Sequence, residues 1–240
     1  MLALTATPDL VCEAPRSVFS TPPPSVVDDY RAEEPIADHL LHAMPSVYAA
    51  REDLFLEGDE QTHILEVVEG VICAYRLLPD GHRHVVSFYF PGDLIGYCCP
   101  SLHTFSAQAL TKVRVRRIPR TSINHLIETR PQFARRLLKL AADELTMTRE
   151  HMLCLAAKSA EARMAVFLLA LSRRNRDVGG DPARLDLPMT RVDIGDYLGL
   201  TIETVSRTLS KLKRSGVIAL PRTTTVMIRD AEALNSMAQG

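Results

Sequence analysis

The feature that most constrains the fold is a change in the spacing of apolar residues at Pro131. Before it, short apolar runs alternate with glycine-containing turns at intervals of about 8–12 residues, which is typical of an antiparallel sandwich or barrel. After it, no proline or glycine occurs as far as Ala157, and the apolar spacing becomes that of an α-helix. We therefore predict an α+β fold in which a β-rich domain is followed by one long helix and a smaller domain.

These changes in pattern predict four segments. A length of 240 residues, at roughly 150 residues per domain, corresponds to about 1.6 domains. Residues 1–30 are rich in proline and predict a flexible leader. Residues 31–130 predict a β-roll of the jelly-roll type, residues 131–157 the long helix, and residues 158–240 the second domain.

The predicted strands of the first domain follow its turn residues. Asp80-Gly81 is a strong hairpin signal, because glycine adopts the positive φ that a tight turn requires. The last predicted strand alternates Val113, Val115 and Ile118 with arginines. The apolar runs predict strands at Leu54–Leu56, Ile64–Val68, Val71–Leu78, Val85–Phe90 and Lys112–Ile118.

Composition and charge exclude several classes of protein. Lys and Arg together number 28 and Asp and Glu 29, so this is not a polybasic protein that binds polyanions over its whole surface. Five cysteines without a framework spacing indicate reduced thiols rather than a disulfide-stapled secreted domain. Because we find neither a signal-peptide pattern nor a long uncharged apolar segment, we expect a cytoplasmic protein without a membrane partner.

The predicted long helix carries a seam of apolar and small residues at alternating steps of three and four. Such a seam is typical of a helix that pairs with a second copy. The alternative is that the same stripe packs on the helix's own β-domain. The seam consists of Leu138, Ala141, Leu145, Thr148, Met152 and Leu155.

The pattern after residue 158 predicts a helix-turn-helix unit. A helix from Ser159 to about Arg174 and a loop over residues 175–184 precede it. Thr190 can cap a first short helix, Gly199-Leu200 ends it, and Thr201 can cap a second one, from Ile202 to about Arg214. Gly216 stands where a left-handed residue ends a helix. Two β-runs, 217–222 and 225–228, predict a terminal hairpin that flanks the second helix as a wing.

The exposed face of the second helix has the chemistry of a DNA reader. Glu203, Ser206 and Arg207 project from its first two turns, where a carboxylate, a hydroxyl and a guanidinium can bind base edges in the major groove. The alternative is an i,i+4 ion pair of Glu203 with Arg207 on an ordinary solvated helix. The predicted contacts to the DNA backbone, which set register, are Arg191, Thr201, Thr204, Lys211, Lys213, Arg214 and Arg222.

The features that carry a family resemblance are the long helix, the segment 195–207, the turn at residues 91–96 and the roll glycines Gly58, Gly70 and Gly81. In these features the chain is similar to the Crp/Fnr superfamily of transcription regulators. The Glu-x-x-Ser-Arg arrangement resembles that of its Fnr and FixK branches, which read half-sites of the TTGA type. The resemblance implies a homodimer on a palindromic DNA site, contacts with RNA polymerase, and usually activation. In the FixK branch it implies targets in microaerobic respiration, denitrification or nitrogen fixation, and no enzymatic step.

The residues that hold effectors in relatives are missing from this sequence. Gly96 is followed by Tyr97 where cyclic-AMP receptors have a glutamate, and residues 104–109 contain no arginine to hold a cyclic phosphate. Only Cys12 lies in the leader, whereas an Fnr iron-sulfur cluster needs several cysteines there. We therefore expect no cofactor, which favours the FixK-like branch.

Two cysteines and two histidines leave other functions open. Adjacent Cys98 and Cys99 indicate small buried thiols more often than a redox or metal site. His82 and His84, separated by one residue, indicate an exposed pair more often than metal ligands. An effector-gated sensor with haem, nitric oxide or a small ligand in the roll, and a cupin-like metal-binding protein, remain the alternative functions.

Overall fold

The computed structural model describes residues 45–97 and 101–239, so the predicted leader lies outside the described residues. Eight of its strands form two four-stranded antiparallel sheets, in the orders β1-β8-β3-β6 and β2-β7-β4-β5. The predicted β-roll is thereby confirmed. The strands are β1 (Pro45–Tyr48), β2 (Asp53–Phe55), β3 (His63–Glu69), β4 (Ile72–Leu77), β5 (Arg83–Tyr89), β6 (Leu94–Ile95), β7 (Ser106–Ala109) and β8 (Val113–Pro119).

Local chemistry explains why these strands form. In β8 the side chains of Val113 and Val115 are buried, because a strand turns alternate residues to the same face. Ile118 is buried in a different apolar cluster, the one that contains Ile123 of the following helix. Strands β4 and β5 form the predicted hairpin, and Gly81 has a φ of 81° in the turn between them. The Gly81 amide donates to the Leu78 carbonyl at 2.8 Å, which closes that turn.

Two helices follow the roll, and only the second was predicted. Helix α1 (Arg120–Thr129) buries Ile123 and Leu126 against the roll. Helix α2 (Pro131–Ala157) is the predicted long helix, with its proline at the start, where an amide donor is not needed. Phe133, with Leu137 and Leu140 beside it, packs into the same apolar cluster as α1.

The second domain contains four helices and a three-stranded sheet within the described residues. Ser159 caps the first helix by accepting a hydrogen bond from the Ala162 amide at 3.2 Å. The elements are α3 (Ala160–Asp177), β9 (Arg184–Asp186), α4 (Arg191–Leu198), α5 (Ile202–Arg214), β10 (Ile218–Arg222), β11 (Thr225–Ile228) and α6 (Ala231–Gln239). In the part of the chain that the structure describes, no helix is long and apolar enough to cross a membrane.

The structure corrects the expected end of this domain. The predicted loop over residues 175–184 is shorter, because α3 runs on to Asp177 and β9 begins at Arg184. Strand β9 pairs with β11, which makes the hairpin part of a three-stranded sheet. The chain does not end in the hairpin either, since α6 follows it; Asp230 starts this helix by accepting from the Ala233 amide at 2.8 Å.

The two domains share one buried core. Phe88 of β5 contacts Tyr197 of α4 and Phe167 of α3, with ring centroids 5.3 and 6.5 Å away. Cys73 and Val85 of the roll belong to the same apolar cluster. Helices α3 and α4 are therefore seated directly on the sheet that contains β4 and β5.

Gly195, in the middle of α4, is needed for the close approach of α4 to the turn that follows. A Cβ at this position would lie 2.6 Å from the Leu200 carbonyl oxygen. We expect Gly195→Ala to lower the free energy of unfolding by about 1–3 kcal/mol, as overpacking does, despite the roughly 1 kcal/mol by which alanine favours a helix. Urea unfolding measures the change.

The matched control for Gly195→Ala is Ser210→Ala, which places the same side chain at an exposed position of α5. We expect this control to change stability by no more than about 0.5 kcal/mol. Equal stability of the two variants would contradict the close approach at Gly195.

Candidate DNA-binding site

The first helix of the predicted helix-turn-helix begins in a complete capping box. Thr190 Oγ1 accepts from the Asp193 amide at 3.1 Å, and Asp193 Oδ2 accepts from the Thr190 amide at 2.8 Å. Gly199 ends the helix with a φ of 62°, in the left-handed region that glycine tolerates. Both ends of α4 thus lie where the sequence predicted them.

The second helix, α5, is oriented by its apolar side. Thr201 caps it by accepting from the Thr204 amide at 3.2 Å. Val205, Leu209 and Leu212 are buried in the core that the domains share. Because these residues face inward, the opposite side of α5 faces solvent from its first turn onward.

The three predicted base-reading residues all lie on that exposed side. Glu203, Ser206 and Arg207 are exposed. Arg207 Nη2 lies 3.4 Å from Thr204 Oγ1, and no ion pair joins Arg207 to Glu203 within the described residues. The amide of Glu203 itself and the Thr201 hydroxyl lower the pKa of the Glu203 carboxyl, so it is an ionised hydrogen-bond acceptor. The charge of Arg207 contributes to this lowering of the Glu203 pKa, but the two side chains are not in ion-pair contact.

The predicted backbone-contacting residues fall into two groups. Lys213, Arg214 and Arg222 are exposed. Others already have protein partners: Lys211 Nζ is hydrogen-bonded to Glu161 of α3, and Arg191 Nη2 donates at 2.9 Å to the Thr223 carbonyl in the β10–β11 turn. The hydroxyl of Thr201, which caps α5, and the hydroxyl of Thr204 are hydrogen-bonded to each other at 3.1 Å. The role of this set in binding DNA stays a prediction.

Arg191 has a positional role that its sequence context did not reveal. It is the first residue of α4, and its bond to Thr223 ties the start of this helix to the wing. This bond connects the helix-turn-helix to the wing, and Arg222 lies next to the turn that it contacts.

Arg163, which sequence reasoning missed, joins the long helix to the helix-turn-helix. Arg163 donates to the Leu155 carbonyl at 2.6 Å, to Lys158 at 3.0 Å and to Leu198 at 3.0 Å. These carbonyls lie at the end of α2, between α2 and α3, and at the end of α4. No local motif marks such a residue, because its partners lie up to 35 positions away along the chain.

An aromatic contact supports the same junction. The His151 ring of α2 stacks on Tyr197 of α4, with centroids 4.3 Å apart. Burial lowers the pKa of His151 to about 4, so the ring is neutral at physiological pH. The long helix and the first helix of the unit are thus in direct apolar contact.

The predicted seam of α2 is exposed rather than packed on the roll. The exposed fractions are 71% for Leu138, 50% for Leu145 and 62% for Met152. Thr148 is also exposed, and Ala141 and Leu155 are half-buried. Since a different face of α2 contacts the roll, the alternative in which this seam packs on its own β-domain is wrong.

The loop that holds cyclic nucleotides in relatives has other contacts here. The Tyr97 hydroxyl donates to Glu144 Oε2 of α2 at 2.5 Å, and Ser106 Oγ accepts from the Glu57 amide at 2.9 Å. The buried His103 ring stacks on the Phe55 ring. Burial lowers the pKa of His103, so the ring is neutral at physiological pH. Residues 101–109 contain no lysine or arginine, so these residues do not fit a cyclic phosphodiester.

His82 and His84 belong to no cluster of metal-binding side chains within the described residues. Residues 45–97 and 101–239 contain no cluster of three or more His, Cys, Asp or Glu that can hold a metal ion. His82 instead contacts Asp80, with Nδ1 3.2 Å from Oδ2. Cys98 and Cys99 lie outside the described residues. Cys73 is buried, and burial raises the pKa of its thiol to about 12.

The fold and the exposed helix define a DNA-binding regulator with a roll of the nucleotide-binding type and a winged helix-turn-helix. Two family models match accordingly. The cyclic nucleotide-binding domain matches residues 45–130, and the Crp-like helix-turn-helix domain matches residues 162–237.

Similar proteins narrow the class further. The nitrogen fixation regulation protein FixK of Bradyrhizobium diazoefficiens is 44% identical over 72% of this chain and 73% of its own length. FixK of Rhizobium meliloti is 36% identical over 90% and 95%. The structure of FixK2 from Bradyrhizobium japonicum superposes with a TM-score of 0.77, at 35% identity, over 81% of this chain and 96% of that one. The chain belongs to the Crp/Fnr superfamily of transcription regulators, in its FixK-like branch.

Proposed function

We propose that this regulator acts in the cytoplasm as a homodimer that binds an inverted repeat of TTGA-type half-sites and activates transcription through contacts with RNA polymerase. The observation that carries the proposal is the exposure of Glu203, Ser206 and Arg207 on the first two turns of α5. A guanidinium can donate two hydrogen bonds to guanine O6 and N7, and a carboxylate can accept from a base amino group. The proposal assigns these two roles to Arg207 and Glu203.

The exposed seam of α2 supports the dimer. Removing a leucine side chain from water stabilises an association by about 1.5–3 kcal/mol, and Leu138, Leu145 and Met152 lie seven residues apart on one face. A two-fold dimer presents two copies of α5, whose half-sites lie about one helical turn, roughly 34–36 Å, apart along the DNA. An inverted repeat is the DNA sequence that matches this symmetry.

Activation needs only a modest interaction energy. A coupling of about 1–3 kcal/mol between the bound dimer and the polymerase changes occupancy about 5- to 150-fold. Two similar proteins are named as activators: the transcriptional activatory protein AadR of Rhodopseudomonas palustris and the transcriptional activator protein FnrL of Cereibacter sphaeroides. No catalytic step is part of this mechanism.

The resemblance to the FixK-like branch also implies regulation mainly through how much protein is made, and the contacts in the roll agree with this. Tyr97 is hydrogen-bonded to α2, and the loop after it supplies no cation for a phosphodiester. The proposal therefore assigns the roll a structural role rather than the binding of a cyclic nucleotide. An effector-gated sensor would require a ligand of different chemistry.

Selection of duplexes from a random pool, at a stated salt concentration, tests the proposed function. We expect the wild-type protein to recover an inverted repeat that contains TTGA. Recovery of single, unrepeated sites would contradict the dimer, and recovery without any motif would contradict sequence-specific binding.

We expect Arg207→Ala to weaken binding to the selected site by about 1–3 kcal/mol and to relax the preference at one guanine. Lys213→Ala is the matched control, because it removes a cation from the same exposed surface but is assigned to a phosphate. It should weaken specific and random duplexes alike and reduce the salt slope by about 1. Titration of both duplexes measures these effects; an equal loss on both for Arg207→Ala would refute its base-reading role.

We expect Leu145→Asp to abolish the dimer at micromolar concentration, since it places a charge in the middle of the seam. Sedimentation measures the mass. Asp143→Asn, two residues away and also exposed, is the control that should stay dimeric. A dimeric Leu145→Asp protein would place the interface elsewhere.

A further inference from the structure

The helix-turn-helix is attached to the roll along β5. The apolar part of this contact is Phe88 with Tyr197 and Phe167, as described above. Apolar contacts are not directional, so they hold two surfaces together without setting a unique rotation. Hydrogen-bonded ion pairs are directional, and one that is partly or fully buried lies near each end of β5.

The first ion pair joins Arg83, at the start of β5, to Asp193 of α4. Arg83 Nη1 lies 2.8 Å from Asp193 Oδ1, and the side chains are 24% and 2% exposed. Two roll contacts orient the guanidinium: Cys73 Sγ lies 3.2 Å from Nη2, and the centroid of the Tyr75 ring lies 4.3 Å from Cζ. Arg83 is therefore held by the roll, whereas its partner Asp193 is part of the helix-turn-helix.

The acceptor of this pair is the capping carboxylate of α4. Asp193 Oδ2 accepts from the Thr190 amide and hydroxyl, at 2.8 and 2.7 Å, which leaves Oδ1 for Arg83. Asp196, three residues further along α4, is a second carboxyl group close enough to interact with the charge of Arg83. Arg83 thus contacts the helix-turn-helix at the residue that determines where α4 begins.

The second ion pair joins Arg174 of α3 to Asp93, in the turn after β5. Arg174 Nη2 lies 3.0 Å from Asp93 Oδ1 and 3.0 Å from the Pro91 carbonyl, and the guanidinium stacks on the Phe90 ring. Both side chains are buried. Seven residues of strand span roughly 20 Å, so the two pairs hold the second domain at two well-separated points.

We infer that Arg83 is a positioning residue for DNA recognition: with Asp193 it holds the helix-turn-helix on the roll in the one rotation that lets both recognition helices of a dimer bind a palindrome together. This inference rests on the proposed homodimer. The roll is itself packed on α2 through Phe133, so the ion pair relates each α5 to the dimer axis. Arg163 provides a further attachment, to the end of α2.

The test compares two duplexes, one with the full inverted repeat and one with a single half-site. Bivalent binding exceeds the affinity of one site by about 10²- to 10⁴-fold, and only if both sites are reached at once. We expect Arg83→Met to lose at least about tenfold on the full repeat and less than about twofold on the half-site. A side chain that only stabilises the fold would affect both duplexes equally, and that outcome overturns the inference, as does no loss on either.

Two further variants make the comparison specific. Arg83→Lys keeps the charge and should recover most of the affinity for the full repeat. Arg76→Met removes one positive charge from the same hairpin, where Arg76 pairs with Glu57 at the surface, and should bind both duplexes like the wild type. A loss in Arg76→Met equal to that in Arg83→Met would attribute the effect to general charge and overturn the inference.

Hydrogen exchange of the DNA-free protein tests the ion pair independently of the proposed function. In Arg83→Met the amides of α4 and β5 should exchange faster, while those of β3 and β8 keep the wild-type rate. Unchanged exchange in α4 overturns the inference. If the wild-type protein shows no preference for the full repeat, that result contradicts the proposed homodimer function. The exchange result would then still show whether Arg83 holds α4 on the roll.

Discussion

The buried carboxylate of Asp193 connects the helix-turn-helix to the roll. Asp193 is almost completely removed from water, and a buried carboxylate costs several kcal/mol unless it is paired and hydrogen-bonded. Its two oxygens meet this requirement in different domains: one caps α4 through Thr190, and the other binds Arg83 of the roll. The start of the helix-turn-helix and its attachment to the roll therefore depend on the same group.

The long helix depends on a similar division of its surface. One face, with Phe133, packs into the roll, and another leaves Leu138, Leu145 and Met152 in solvent. An isolated chain gains nothing from this second face, because exposed apolar surface is unfavourable in water. In the proposed function, a roll that contacts both α2 and α4 is a scaffold between the proposed dimer surface and the proposed DNA-reading surface.

Sequence patterns predicted the elements whose signals are local. The caps Thr190 and Thr201, the glycines at residues 199 and 216, and the apolar spacing of α5 all lie within a few residues of the elements that they define. Strand β9 was missed because three residues are too few for a period, and it forms only by pairing with β11, about 40 residues away. Helix α6 had a recognisable signal in Asp230, and α1 had one in Pro119, which ends β8 and stands at the N-cap of α1.

By itself, the sequence determined the fold class, the helix-turn-helix and the identity of the side chains on the exposed face of α5, since backbone propensity, capping and periodicity act over short stretches of chain. The tertiary structure alone decided which face of α2 packs on the roll. It also decided that Lys211 and Arg191 have protein partners, and that Arg83 and Arg163 contact the helix-turn-helix. The physical reason is that ion pairs and carbonyl contacts between distant segments have no periodicity. They exist only once the burial of apolar side chains such as Phe88 and Tyr197 has brought those segments together.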